Sequence, residues 1–440
     1  MASSQTLTSL FFFSSLVAFC YAATNSYKQP KPTAILFSIR RNETTRQYYT
    51  TFTFGESNII VGALIDLGAP DVWFDCTSYV SSSYKRASCG SNRCKKAKGS
   101  VCLGCNSTPR PGCSNNTCGV FAYNPFREYL TSQELGVDTM TSISSTDGRY
   151  VQLYYDVPKF QFSCADASIV EGLPGDYTKG LVGLARTQVS LTSQISSSFK
   201  LPQKFALCIP SLTENGLGSM FIGGGPYYMP PLNEDLSLSL VSTPLVINPV
   251  STAPAYSEGD PSDEYFINVK DIEISGKRVA FDLSLLSFDK NGVGGTKIST
   301  IAPYTILHAS IYKRLVKDFI KAAALNKIKR VKSVAPFGAC FDSKTAPKTI
   351  TGPAVPDIDL VLEGNTARLR LYGSNSMVEV KKNVICLAFI DGGVEPRTSI
   401  VLGGYQLEER LLEFDLAASK LGFTSSLLVW NTSCSQSRLF

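Results

Sequence analysis

Apolar and polar residues along this chain form short alternating segments rather than long helical runs. Residues 48–54 (YYTTFTF) alternate with a period of two, and many similar segments rich in Val, Ile, Phe, Tyr and Thr are separated by Gly, Pro, Ser and Asn. A period of two is typical of a strand with one buried face. The pattern therefore predicts a largely β protein.

One segment has helical spacing instead. Ile311, Leu315 and Phe319 fall on one face between Ala309 and Asn326, while the lysines of this segment fall elsewhere. We expect a surface helix that packs on a sheet.

The two halves of the chain repeat one arrangement. In the first half, residues 48–66 end at Asp66 and are followed by the apolar segment 180–184; in the second half, residues 265–298 are followed by 400–404. Each half thus offers strands, a loop at an equivalent position and an apolar-apolar-glycine strand that supports the loop. With 440 residues and 44% apolar composition, the chain is long enough for two hydrophobic cores.

The first residues predict a signal peptide. The run from Leu10 to Phe19 is apolar and uncharged, and small residues follow it. The alternative, a membrane anchor, is disfavoured because the run is shorter than the ~20 residues that span a bilayer. We predict a signal peptide at 1–22, an N-terminal β lobe at 23–204 and a C-terminal β lobe at 205–440.

The cysteine count points to disulfides. Thirteen cysteines become twelve if Cys20 leaves with the signal peptide, and an even number in a secreted chain favours complete pairing. The spacing Cys102-Leu-Gly-Cys105 raises zinc as an alternative, but the only histidine, His308, is far away in sequence and an oxidising route favours bridges.

Glycosylation signals and net charge restrict the classes of partner that this protein is expected to have. Four sequons begin at Asn42, Asn106, Asn115 and Asn431, and they fit a secreted glycoprotein. The formal net charge of +6 suits an acidic partner or a polyanionic matrix, although the basic residues are scattered in sequence and no nucleic-acid motif accompanies them. We predict no nucleic-acid partner, no cofactor and no metal.

Three motifs resemble those of the pepsin-like aspartic proteases over nearly all of the mature chain. They are DLGAPDVW from Asp66, GLVGLA at 180–185 and VLGGY at 401–405. The resemblance implies a mostly β, bilobal fold with a central cleft and few short helices, with the strand near 34–38 in a sheet beneath the cleft. In those proteases each lobe supplies one aspartate, and the two share a proton because like charges about 3 Å apart cannot both ionise.

The second aspartate of that pattern is missing here. The alignment places Ser299 where the family has it, and Leu67 where the family has a threonine that braces the two loops. The hairpin expected between Tyr123 and Asp138 is altered as well. Loss of one member of a catalytic unit commonly costs ~10⁴ or more in rate, so we expect no proteolysis and treat Asp66 as a remnant. A nucleophilic Ser299 would need a base, which His308 is not expected to supply.

Further blocks are similar to a narrower plant group of pepsin-derived proteins. Residues 109–121, 333–340 and 373–377 resemble xyloglucan-specific endoglucanase inhibitor proteins and extracellular dermal glycoprotein, and are related to TAXI-type xylanase inhibitors and basic seven-S globulins. The resemblance implies secretion to the apoplast or cell wall, and binding of microbial cell-wall hydrolases whose sugar cleft is plugged by loops of the C-terminal lobe.

The same resemblance assigns two arginines to that plug, Arg330 and Arg397, both in predicted loops. Glycoside hydrolases flank the scissile bond with two carboxyl groups, and an arginine can bind these with charge-assisted, often bidentate bonds. The alternatives are a solvated charge at Arg330 and an ordinary loop ion pair at Arg397. The leading hypothesis is a monomer that inhibits a secreted endoglucanase, above all a xyloglucan-specific one.

Two other functions stay open, together with the disulfide pattern. One is a binding or storage glycoprotein that recognises a peptide or a wall polysaccharide without inhibiting any enzyme; the other is residual proteolysis through Asp66. The resemblance implies the disulfides Cys208–Cys434 and Cys340–Cys386, the second of which would tie together the bases of the two arginine segments. Pairing among the eight cysteines from Cys76 to Cys164 is open, although we expect Cys76 with Cys164.

Overall fold

The computed structural model describes residues 29–175, 177–211, 216–364 and 367–436. Strands make up 39% and helices 15% of the structure, which confirms the predicted mostly β class. The predicted signal peptide at 1–22 lies outside the described residues. Within the described residues, no helix is both long and apolar enough to cross a membrane.

The strands are β1 Ala34–Arg41, β2 Tyr48–Phe54, β3 Ile59–Asp66, β4 Val72–Asp75, β5 Lys85–Arg86, β6 Val101–Leu103, β7 Thr117–Asn124, β8 Tyr129–Thr146, β9 Val151–Ala165, β10 Gly180–Gly183, β11 Lys204–Cys208, β12 Gly218–Ile222, β13 Val241–Val246, β14 Phe266–Ile267, β15 Val269–Ile274, β16 Lys277–Arg278, β17 Thr296–Ile298, β18 Thr305–Leu307, β19 Arg330–Val331, β20 Cys340–Asp342, β21 Lys348–Thr349, β22 Gly352–Pro353, β23 Ile358–Leu362, β24 Arg368–Leu371, β25 Met377–Lys381, β26 Val384–Leu387, β27 Phe389–Asp391, β28 Ile400–Leu402, β29 Leu411–Asp415 and β30 Lys420–Phe423. The α-helices are α1 Asn92–Lys96, α2 Ala167–Val170, α3 Leu191–Phe199, α4 Ala309–Leu325, α5 Gly373–Ser376 and α6 Gly404–Leu407. Short 3₁₀ helices span Leu236–Ser239, Leu283–Leu286, Ser343–Thr345, Leu427–Trp430 and Cys434–Gln436.

One antiparallel sheet joins strands from both halves of the chain, in the order β1-β12-β11-β29-β30-β13. The strand expected near residues 34–38 is β1, and it pairs with β12 along Ile35–Ile39. At the centre of this sheet the buried rings of Phe205 and Phe414 stack with their centroids 4.7 Å apart. The expected boundary at residue 204 coincides with the first residue of β11, inside this shared sheet.

The repeat that the sequence predicts is present in the strand pairing. In the first half β10 runs parallel to β3 and antiparallel to β4, and in the second half β28 runs parallel to β17 and antiparallel to β18. Asp66 ends β3 opposite Gly183, and Ser299 directly follows β17. A Cβ atom on Gly183 would lie 2.2 Å from the carbonyl oxygen of Asp71, so only glycine permits this close approach of backbones.

The predicted helix is confirmed as α4. It buries the side chains of Ile311, Leu315 and Phe319 and packs on β15 and β27. His308 caps its start, because the backbone N–H of Ser310 donates to His308 Nδ1 at 3.2 Å.

Disulfides link all twelve cysteines of the described residues. They are Cys76–Cys164, Cys89–Cys102, Cys94–Cys118, Cys105–Cys113, Cys208–Cys434 and Cys340–Cys386. The three pairs named from the sequence are among them. Cys102 and Cys105 are each bridged to another cysteine, so the zinc alternative loses both of its thiolates.

Candidate functional site

The loops that carry Asp66 and Ser299 meet through one buried hydroxyl. Thr300 Oγ1 donates to the carbonyl oxygen of Ile65 at 2.6 Å and accepts from the backbone N–H of Leu67 at 3.2 Å. Leu67 cannot make the equivalent contact from the Asp66 loop to the Ser299 loop, because its side chain carries no hydroxyl. The two loops are therefore held together from one side only.

Asp66 lies half-buried at the start of its loop. Its Oδ1 accepts a hydrogen bond from the backbone N–H of Gly68 at 2.7 Å. Burial raises the pKa of Asp66 to about 6, the backbone donor opposes that shift, and the negative charge of Glu264 adds to it. The carboxyl group thus holds a proton more readily than an exposed aspartate does.

An ion pair between Glu264 and Lys297 lies beside Asp66. Lys297 Nζ is 2.9 Å from Glu264 Oε1, and the two side chains are 23% and 17% exposed, respectively. A Cβ atom on Gly68 would lie 2.6 Å from Glu264 Oε1 and 3.3 Å from Asp66 Oδ1. The two carboxylates are therefore within about 6 Å of each other, the range in which one charge shifts the pKa of the next.

Sequence reasoning missed this ion pair. Lys297 lies on β17, two residues before Ser299, and this closeness to Ser299 in sequence was the available signal. Glu264 carried no such signal, since it lies just outside the strand that begins at Phe266. The second acidic group near Asp66 is thus a glutamate already paired with a lysine.

Ser299 is engaged within its own loop. Its hydroxyl oxygen accepts from the backbone N–H groups of Ile301 and Ala302 at 3.2 and 3.1 Å. His308 is also occupied: Nδ1 lies 2.9 Å from Ser310 Oγ, and Nε2 lies 2.8 Å from the carbonyl oxygen of Val394. Because a carbonyl only accepts, Nε2 carries the proton, and the histidine cannot act as a base through that atom.

The altered segment between Tyr123 and Asp138 still forms a hairpin from β7 and β8. Its tip is fastened to the N-terminal half of the chain: Asn124 Nδ2 donates to the carbonyl oxygens of Ile169 and Glu171 at 2.7 and 3.0 Å, and Arg127 forms an ion pair with Glu171. A flap that closes over a substrate has to move, and these bonds oppose that movement.

Arg330 lies on a short strand, so the expectation of a loop was wrong at this position. β19 pairs with β20, and Arg330 stands opposite Phe341. The reason is cross-strand pairing, which local sequence does not reveal. The Arg330 side chain is exposed, and no hydrogen bond or ion pair engages it among the described residues.

Arg397 lies in the predicted loop between β27 and β28. The residue is exposed, but its guanidinium Nη2 donates to the carbonyl oxygen of Ser251. Its own carbonyl accepts from the backbone N–H of Gly294 at 2.9 Å. Arg397 thus forms a hydrogen bond to main chain instead of the loop ion pair that was the alternative. This hydrogen bond does not neutralise the positive charge of Arg397.

Both arginine segments rest on the first turn of α4. The backbone N–H of Gly338, in the segment after β19, donates to Tyr312 Oη at 2.9 Å. The carbonyl oxygen of Gly393, in the segment before Arg397, accepts from the backbone N–H of Ala309 at 2.7 Å. The Cys340–Cys386 disulfide joins β20, the partner strand of Arg330, to β26.

The sequons differ in accessibility. Asn106, Asn115 and Asn431 are exposed, whereas Asn42 is partly buried. Asn42 Oδ1 accepts hydrogen bonds from the backbone N–H groups of Thr44 and Thr45 at 3.0 and 2.9 Å. Three of the four acceptor side chains are thus open to a glycosylating enzyme in the folded protein.

Comparisons with known proteins identify the family. Residues 48–224 match the family profile described as xylanase inhibitor N-terminal, and residues 264–425 match the one described as xylanase inhibitor C-terminal. The chain is 46% identical over 430 residues to "Probable aspartic proteinase GIP2" of Nicotiana benthamiana, covering 97% of this chain and 95% of that protein.

Two solved structures share the fold. The crystal structure of edgp has a TM-score of 0.91 at 43% identity, covering 94% of this chain and 100% of that one. The crystal structure of basic 7S globulin from soybean has a TM-score of 0.80 at 32% identity, covering 93% and 99%. These neighbours confirm the mostly β, bilobal, pepsin-like fold. The chain belongs to the xylanase inhibitor family, whose N-terminal and C-terminal parts the two profiles describe.

Proposed function

We propose that this protein is a secreted, catalytically inactive relative of the aspartic proteases that inhibits a microbial cell-wall glycoside hydrolase. The enzyme that the resemblance favours is a xyloglucan-specific endo-β-1,4-glucanase. Arg330 and Arg397 are the proposed contacts with its catalytic carboxyl groups, and the proposed site of action is the apoplast or cell wall.

Proteolysis is the function that the geometry supports least. In the proposal Ser299 stands where a protease would have its second aspartate, and its hydroxyl is already used to cap its own loop. The nearby acid, Glu264, forms an ion pair with Lys297, unlike the two aspartates of a protease, which share one proton. We therefore assign Asp66 no catalytic role.

The unpaired side chain of Arg330 is the single observation that best supports inhibition. The Arg330 guanidinium is exposed and has no acidic partner among the described residues, so it breaks no ion pair when it binds a carboxylate. The disulfide-linked sheet holds the Arg330 backbone in place before binding. Arg397 would exchange its bond with the Ser251 carbonyl for one with a carboxylate, and the charged acceptor makes the stronger bond.

The test is the inhibition constant for a microbial xyloglucan-specific endoglucanase. We expect the variant R330A/R397A to raise it by roughly 30-fold to several thousand-fold, since truncating a buried, charge-paired anchor costs roughly 2–5 kcal/mol. R93A is the matched control, because Arg93 is exposed on α1 in the N-terminal half and should leave inhibition unchanged. Undiminished inhibition by the double variant would remove the proposed mechanism.

A second candidate function is a storage or binding glycoprotein. It is favoured by the 32% identity and full-length match to basic 7S globulin from soybean. Retention on wall polysaccharide, with no effect on a panel of xyloglucanases, xylanases and cellulases, would support this candidate over the first.

A further inference from the structure

A pocket of about 670 Å³ opens beside β9, and we call it the β9 pocket. Its walls come from residues 157–161 of β9, from residues 186–198 around α3, and from Gln203 and residues 416–417 at the ends of β11 and β29. The volume is within the range of about 300–1,000 Å³ that suits a small ligand. Neither proposed inhibitory arginine lines it, so any ligand of this pocket concerns a separate site.

The wall of the β9 pocket is positively charged. Lys96, Lys159 and Arg186 line it, and none of its lining residues in the described part of the chain is an aspartate or glutamate. Lys96 and Lys159 are exposed, and no ion pair or hydrogen bond engages either side chain within the described ranges. Among the described residues, Arg186 Nη2 donates to two main-chain carbonyls, those of Ser262 at 3.0 Å and Glu264 at 2.7 Å, and Asp263 is the acidic residue close enough to affect its charge. These cations favour an anionic ligand.

Lys159 lines the β9 pocket from an irregular position in β9. The pairing of β8 and β9 shifts register here, because Asp138 pairs with Phe160 while Met140 pairs with Val157. Lys159 lies in this bulge with a φ of 60°, a left-handed conformation that is uncommon for lysine. Bulges of this kind re-aim a side chain and are frequent beside functional sites.

The neutral polar side chains of the wall both donate and accept hydrogen bonds. They are Gln161, Thr187, Gln188, Ser193, Gln194, Ser197, Ser198 and Gln203. Of these, Gln188, Ser197, Ser198 and Gln203 are exposed and can exchange hydrogen bonds with a ligand. Sugar hydroxyls supply donors as well as acceptors, whereas a sulfate dianion supplies acceptors only.

We propose that the β9 pocket binds a short acidic oligosaccharide, whose sugar rings carry carboxylates as well as free hydroxyls. The carboxylates pair with Lys96, Lys159 and Arg186. Its hydroxyls exchange hydrogen bonds with exposed polar side chains of the wall, those of Gln188, Ser197 and Gln203. This ligand site is independent of hydrolase inhibition.

The test is calorimetric titration of the full-length secreted protein with trigalacturonate, its methyl ester and inorganic phosphate. We expect trigalacturonate to bind and the uncharged ester to bind at least tenfold more weakly. The variant K96Q/K159Q should weaken trigalacturonate binding roughly tenfold, as expected for two partly exposed ion pairs. The control K277Q/K290Q removes the same charge from exposed lysines outside the pocket and should bind normally.

Three results would overturn the proposal. They are equal binding of the ester, equal weakening by K277Q/K290Q, which would indicate net charge alone, and tighter binding of phosphate than of trigalacturonate. Hydrolase inhibition by K96Q/K159Q is measured alongside and should equal that of the wild type, so failure of this proposal is distinguishable from failure of the inhibitory one.

Discussion

Replacing Asp66 by asparagine should stabilise this protein at neutral pH. Burial raises the pKa of Asp66 from 3.8 to about 6, so the ionised carboxylate is unfavourable in the folded state. An asparagine removes the charge and keeps an oxygen that can accept from the backbone N–H of Gly68. In a working aspartic protease the same substitution would remove a catalytic group.

The sign and the size follow from the shift in pKa. A carboxyl group whose pKa is raised on folding binds its proton more tightly in the folded state, so the wild type loses stability as the pH rises from about 4 to about 6. A shift of about two units corresponds to about 3 kcal/mol. D66N should therefore gain up to about 3 kcal/mol at pH 8 and progressively less towards pH 4, because both states hold the proton once the pH is well below the ordinary pKa of an aspartate.

The assay is the melting temperature of D66N and wild type from pH 4 to pH 8. The difference should open between pH 4 and pH 6 and stay constant above that window. D282N is the control, because hydrogen bonds from Ser284 lower the pKa of Asp282 and its loss should give no gain at any pH. A D66N protein that melts below the wild type at pH 8 would show that folding does not disfavour the ionised form of Asp66.

Two further substitutions test the supports of the site. T300V removes the hydroxyl that joins the two loops and should lower the free energy of unfolding by about 1–3 kcal/mol, measured by thermal unfolding at pH 5. A loss no larger than that caused by a threonine-to-valine change at an exposed position would contradict the bridging role. The double change of Cys340 and Cys386 to alanine opens a loop of sequence separation 46. This should lower the free energy of unfolding by about 4 kcal/mol and weaken hydrolase inhibition. The same change at Cys105 and Cys113 should leave inhibition intact. Equal inhibition by both variants would indicate that the Cys340–Cys386 disulfide does not hold the arginine segments ready for binding.

Much of the fold follows from local sequence. The period-two alternation of residues 48–54 gives β2 with the predicted bounds, and the apolar spacing from Ala309 gives α4. The repeated apolar-apolar-glycine segments correctly predicted the strands that support the loops of Asp66 and Ser299. These features depend on neighbours a few residues apart, which a sequence displays directly.

The site depends on longer-range contacts, which explains what was missed. Lys297 reaches Glu264 across a separation of 33 residues, and Arg397 reaches the Ser251 carbonyl across 146. Arg330 belongs to a two-residue strand that exists only because β20 lies beside it. No local pattern encodes such pairings. The sequence therefore allowed Arg330 and Arg397 to be named as candidates, but it could not predict the residues that surround them.

The most direct test of the central claim is the activity of a xyloglucan-specific endoglucanase mixed with increasing amounts of the purified protein at mildly acidic pH. If the protein inhibits competitively, activity falls towards zero near one protein molecule per enzyme molecule, and excess xyloglucan reverses the loss. Full endoglucanase activity in the presence of a large excess of the protein would contradict the proposed inhibition.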